Sequence, residues 1–164
     1  MKISKAMQNE HALFMQKAID LARQGMNANE GGPFGCIVVK DGRVLAEGNN
    51  VVFSTNDPTA HAEIVAIRKA CEALKSFQLD DCYIYSSCEP CPMCLGAIYW
   101  ARPKGVYFAC TREDAAGIEF DDALIYAEIA KPMVDRKIPF KQLLRDQGLK
   151  VFRDWENKEH KIKY

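Results

Sequence analysis

A chain of 164 residues with 48% apolar and 27% charged residues has the make-up of one globular domain with a core of its own. Its 22 basic and 22 acidic residues cancel, which argues against broad non-specific binding to nucleic acid. No apolar run approaches the roughly 20 residues needed to span a bilayer, and the first ten residues lack the apolar stretch of a signal peptide.

Seven cysteines are an odd number, and they sit mostly in apolar or motif surroundings. That favours metal binding in a reducing compartment, hence a cytoplasmic protein, over a disulfide framework. In chain order, Leu13, Phe14, Ala18, Ile19, Leu21 and Ala22 give residues 10–26 the spacing of an amphipathic helix, with His11 facing solvent. Residues 27–33 break it, ending in Gly31, Gly32 and Pro33. Residues 36–40 and 43–47 read as a hairpin, since Asp41 and Gly42 suit a tight two-residue turn. The polar stretch 48–58 puts Asn49 and Asn50 at a strand end.

A second helix is expected over 61–74, with Ile64, Val65, Ile67, Ala70, Cys71 and Leu74 on its apolar side and Thr59 as N-cap. Residues 82–87 form a short strand, and Pro92 stands where prolines start helices, ahead of a third helix over 93–101. A strand at 104–109 follows. Strand, helix, strand in that order implies a crossover and parallel pairing, so the whole is a mixed sheet covered by helices. A helix over 121–129 is expected next; Pro132, Pro139 and Gly148 then cut the remainder into short pieces, with a polar helix at 152–158 and a solvent-facing His160.

The chemistry is concentrated in two places: His61, Ala62 and Glu63, and the run from Cys88 through Cys91 to Cys94. Thiolates and an imidazole are the ligands zinc prefers, and three protein ligands leave a fourth position open for a water. His61 and Cys94 fall near helix N-termini, where a thiolate is favoured. Glu63, two residues beyond His61, can reach such a water without binding the metal, and a carboxylate there can take and pass on its proton. Spacing alone leaves the ligating cysteines open, because Cys88 and Cys91 are also three apart. Cys91 and Cys94 are preferred because both sit at a helix start while Cys88 closes a strand. A four-ligand structural zinc that includes Cys88 is the alternative, and it leaves Glu63 without a role.

His-Ala-Glu at 61–63 followed by Pro-Cys-Pro-Met-Cys at 90–94 resembles the His-x-Glu and Pro-Cys-x-x-Cys signature of the zinc nucleobase deaminases. The chain resembles one branch most, the small guanine deaminases built on the cytidine deaminase fold. The likeness runs from Gly31 through the segments 56–63 and 88–102 to Phe120, Asp121, Asp122, Ile125, Tyr126 and the terminal Tyr164.

The resemblance implies an α/β protein with a three-layer α/β/α arrangement around a mixed five-stranded sheet, formed by one domain over 1–164. It further implies a homodimer that exchanges a C-terminal segment, about 112–164, between subunits. One zinc ion per subunit would be held by His61, Cys91 and Cys94, with Glu63 as proton shuttle. Asp122 would handle the substrate's amino group, and Asn50 would hydrogen-bond the purine beside the backbone of Ala62. Through the exchange, Asp122 and Tyr164 would complete the partner's pocket, and Phe34 and Trp100 would be substrate wall, interface or core. The implied reaction is hydrolysis of guanine to xanthine and ammonia, on a small-molecule substrate and with no membrane or nucleic-acid partner.

Plainer roles compete. Asp122 can stabilise the start of the helix after it, Asn50 can be a turn residue, and a terminal residue such as Tyr164 is usually frayed. A tRNA adenosine deaminase carries the same metal signature but calls for a basic RNA surface, and residues 153–164 mix both signs. Guanosine, another amino-purine or an amino-triazine are alternative substrates, which pocket shape rather than sequence separates. A non-catalytic zinc module is the alternative of another kind.

Overall fold

The computed structural model describes residues 5–163 and divides the chain into two compact units, Met1–Asp122 and Ala123–Tyr164. The first unit is built on a four-stranded sheet. Helix α1 (Lys5–Asn27) leads into β1 (Gly35–Lys40) and β2 (Arg43–Asn49), followed by a one-turn α2 (Val52–Thr55) and by α3 (Ala62–Leu74). Strand β3 (Cys82–Cys88), helix α4 (Pro92–Ala101), strand β4 (Gly105–Cys110) and the short α5 (Arg112–Ala116) complete it.

The strand order is β2-β1-β3-β4, with β1 antiparallel to both neighbours and β3 parallel to β4. The expected mixed sheet is thus present, with four strands among the described residues rather than five. The hairpin turns at Asp41 and Gly42, whose φ angles of 51° and 70° are the left-handed pair that matches strand twist.

Side chains of adjacent residues point to opposite faces of a strand, and here both faces are covered. Cys36 and Val38 of β1 and Cys82 and Ile84 of β3 pack with Ala62, Ala66, Ile67 and Ala70 of α3 and with Ile98 and Ala101 of α4. Their neighbours Ile37, Val39 and Tyr85 pack with Ala18 of α1. This is why the sequence from Cys36 to Val39 is continuously apolar instead of alternating. The result is three layers, helix on sheet on helix.

Several local expectations change. Thr59 does not cap α3; its hydroxyl donates to Asp57 Oδ1 at 2.7 Å, and the N-cap position is His61 itself. His11 is not solvent-facing: its Nδ1 lies 2.6 Å from the Tyr85 hydroxyl and its ring 4.4 Å from that of Tyr107. Helix α1 starts ahead of the expected boundary and carries His11 onto the aromatic face of the sheet.

The second unit contains α6 (Ala123–Ala130), a 3-10 turn (Met133–Asp135) and α7 (Arg145–Asn157). Helix α7 begins seven residues before the expected 152, because Gly148, read as a breaker, lies inside it. Tyr164 lies outside the described residues.

Candidate zinc site and its family

The two motif segments meet at helix starts on one side of the sheet. His61 is the N-cap of α3 and Cys91 the N-cap of α4, both with extended backbone, and Cys94 lies one turn into α4 after Pro92. His61 Nδ1 is 3.5 Å from Cys91 Sγ and 3.6 Å from Cys94 Sγ, and the three atoms lie within 4.8 Å of one another. In tetrahedral coordination, Zn–S near 2.3 Å and Zn–N near 2.1 Å put the nitrogen and each sulfur about 3.6 Å apart. The donor set and its spacing therefore fit zinc.

Cys88 stands apart from that group, its thiol turned to the carbonyl of Thr111 at 3.5 Å and its acidity weakened by burial, to about 11. The structure thus gathers Cys91 and Cys94 around His61. Cys94's thiol, hydrogen-bonded to Cys91, favours the Cys91 thiolate and holds its pKa down to about 4, while the same bond and burial push Cys94 up. The pair shares a proton that a metal ion would displace.

Glu63, in the first turn of α3, is almost wholly buried, and burial raises its pKa. Its Oε1 accepts from the Ser86 hydroxyl at 3.0 Å and its Oε2 from the Cys94 thiol at 3.4 Å. The carboxyl group is thus beside the donor set and outside it.

Asn50 is buried at the end of the β2 loop, where its Oδ1 accepts from the backbone N–H of Gly32 at 3.3 Å and of Val52 at 3.2 Å. Those two bonds fix the amide orientation. Ala62 is fully buried behind His61. Phe34 stands edge-on to Phe120, ring centres 5.0 Å apart. Asp122 is half-buried, and its carboxyl is pushed up by burial and then by the negative charge of Cys91, which puts it on the site's side of the first unit. Trp100 is not gathered in: it is exposed on α4. Sequence reading gave Ser86 no role and named Phe120 only as part of the family likeness. The signal for Ser86 was a hydroxyl at an inward position of a buried strand.

Among the described residues no helix is long and apolar enough to cross a membrane. Residues 8–110 match the family described as the cytidine and deoxycytidylate deaminase zinc-binding region. The chain is 56% identical to the guanine deaminase of Bacillus subtilis over 154 residues, covering 94% of this chain and 99% of that one. It superposes on the X-ray structure of that enzyme with a TM-score of 0.92, covering 94% and 98% of the two chains. A tRNA-specific adenosine deaminase of Agrobacterium fabrum is 40% identical over 110 residues, 67% of this chain and 72% of that one. The zinc-type donor set at the ends of two helices and the extent of these matches lead to one conclusion: the chain belongs to the cytidine and deoxycytidylate deaminase family of zinc-dependent enzymes.

Proposed function

We propose that the protein is a guanine deaminase, hydrolysing guanine to xanthine and ammonia. The observation that carries this is likeness over almost the full length to a guanine deaminase, whereas the tRNA deaminase likeness spans two thirds of the chain. His61, Cys91 and Cys94 hold one zinc ion. That ion, when bound, supplies the Lewis acidity that makes water a nucleophile at neutral pH.

The remaining work falls to side chains of this chain. Glu63, made a stronger base by burial, takes the proton of the attacking water as a carboxylate and delivers it to the ring nitrogen beside C2. Coupling these transfers lowers the cost of breaking the ring's aromaticity as water adds to C2. Asp122 assists protonation of the amino group, which departs as ammonia. Asn50 presents its amide N–H groups to the purine beside the backbone of Ala62, and Phe34 walls the ring.

We place the protein in the cytoplasm, where its seven free cysteines suit a reducing environment. It acts as a homodimer that exchanges C-terminal segments. In the second unit Leu124, Ile125, Ile129, Val151 and Phe152 are all exposed, and α4 presents Tyr99 and Trp100. An apolar surface of that kind calls for a partner. On this reading Tyr164 completes the partner's pocket.

The test is ammonia release from guanine by zinc-loaded protein, with adenine, cytosine, guanosine and a tRNA in parallel. Release from guanine alone is expected. Silence on guanine with turnover of another compound overturns the substrate.

A further inference from the structure

We propose that Ser86 is a positioning residue for Glu63, its hydroxyl deciding which carboxyl oxygen carries the moving proton. The proposal deepens the deaminase reading and rests on it. Ser86 sits on β3 at 1% exposure, paired with Cys36 on β1 and Phe108 on β4. A hydroxyl buried in the middle of a sheet is costly unless bonded, and this one donates to Glu63 Oε1 at 3.0 Å. Glu63 is on a different element, 23 residues back in sequence.

The bond has a consequence for chemistry. A glutamate carboxyl turns about a broad, roughly two-fold torsion, so its oxygens are interchangeable unless something distinguishes them. Here Oε1 is occupied as an acceptor by a donor mounted on a strand with ladders on both sides. Oε2 is left on the side of Cys94, at 3.4 Å, where the donor set converges. The Ser86 bond therefore fixes the carboxyl with Oε2 aimed at the donor set, the oxygen placed to collect and deliver a proton. Without the hydroxyl the carboxyl can rotate, and the atom that faces the ring is no longer fixed.

Ser87, the next residue, makes a natural control. It is also buried, but its Oγ accepts from the backbone N–H of Gly35 at 3.0 Å and serves the sheet rather than Glu63.

The experiment compares Ser86→Ala, Ser86→Thr and Ser87→Ala in the zinc-loaded enzyme, with metal content, kcat and KM for guanine measured for each. Ser86→Ala should keep its zinc and lower kcat about 10- to 100-fold, within the range of positioned proton transfer, with KM nearly unchanged. Ser86→Thr, which restores the hydroxyl, should recover most of kcat. Ser87→Ala should lower the melting temperature and leave kcat alone. A zinc-loaded Ser86→Ala with wild-type kcat overturns the proposal, as does a loss that Ser86→Thr fails to recover in folded, zinc-loaded protein. If Ser86→Ala does not fold, Ser86→Cys, similar in size and a weaker donor, carries the same comparison.

A second arm separates this proposal from the reading beneath it. In the metal-free protein, thermal unfolding of Ser86→Ala, Glu63→Ala and the double variant should be non-additive, because the two side chains share one bond and each substitution removes it. Additive shifts overturn the contact itself. Wild-type protein inactive on guanine, with non-additive shifts, would sink the substrate reading and leave the Ser86–Glu63 pairing standing.

Discussion

The two units of the chain handle apolar residues in opposite ways. In the first, Ile37, Val38, Ile84 and Tyr85 are essentially inaccessible, sealed between α1 on one face of the sheet and α3 and α4 on the other. In the second, α6 reads Ala-Leu-Ile-Tyr-Ala-Glu-Ile-Ala, as apolar as any core helix, yet none of its described residues is buried. Helices of 8 and 13 residues are marginal on their own in water and take their stability from packing. The first unit holds a site because its core is self-sufficient. The second leaves its apolar side chains exposed, Leu124, Ile125 and Ile129 among them.

The largest expected effect tests whether the first unit alone holds the chemistry. Glu63→Gln keeps the size and the acceptor for Ser86 but cannot shuttle a proton. It should retain one zinc and lose about 100- to 10,000-fold in kcat, read by ammonia release and metal analysis. Full turnover would take the proton-shuttle role away from Glu63. The next effect concerns the second unit. A chain ending at Asp122 should still unfold cooperatively, elute as a single subunit and turn guanine over about 100-fold more slowly, as a site with misplaced groups does. A truncated chain that stays dimeric and fully active would erase the distinction between the units.

Asp122 lies at the boundary between them. Asp122→Ala should leave zinc in place and lower kcat roughly 10- to 100-fold if the carboxyl helps the departing amine. Unchanged kcat together with a lower melting temperature would return it to stabilising the helix that begins at Ala123.

Legibility in the sequence follows the range of the contacts involved. The hairpin was readable because Asp41 and Gly42 act within two residues, and α3 because its apolar face repeats every turn. The metal set was readable as types and spacing, with Cys94 preferred to Cys88 for its place at a helix start, although what takes Cys88 away from the group lies beyond local sequence. The strand register that turns Cys88 toward Thr111 does that, and register depends on the whole sheet. His11 was misread for a similar reason: its hydroxyl partner Tyr85 is 74 residues away. Helix α7 was clipped because Gly148 was weighed as a breaker. A glycine within a helix costs only about 1 kcal/mol, and the turns on either side outweigh that. Thr59 looked like a cap, but Asp57 competes for its hydroxyl in a local turn.

The smallest effect predicted concerns a residue without a side chain. A Cβ on Gly31 would fall within contact distance of Asn50 Oδ1 and 2.5 Å from Asn50's backbone oxygen. Gly31→Ala must therefore push Asn50 away, and overpacking of this kind costs about 1–3 kcal/mol. The displaced atom is the one that Gly32 and Val52 hold, so the amide loses its orientation while the donor set and Glu63, on α3 and α4, stay where they are. The expected signature is a rise of about tenfold in KM for guanine, equivalent to about 1.4 kcal/mol of binding, with kcat and zinc content near wild type. A fall in kcat at constant KM would mean that Asn50 helps position the reacting ring rather than simply binding it. No change in either would make Asn50 a loop residue held for stability alone.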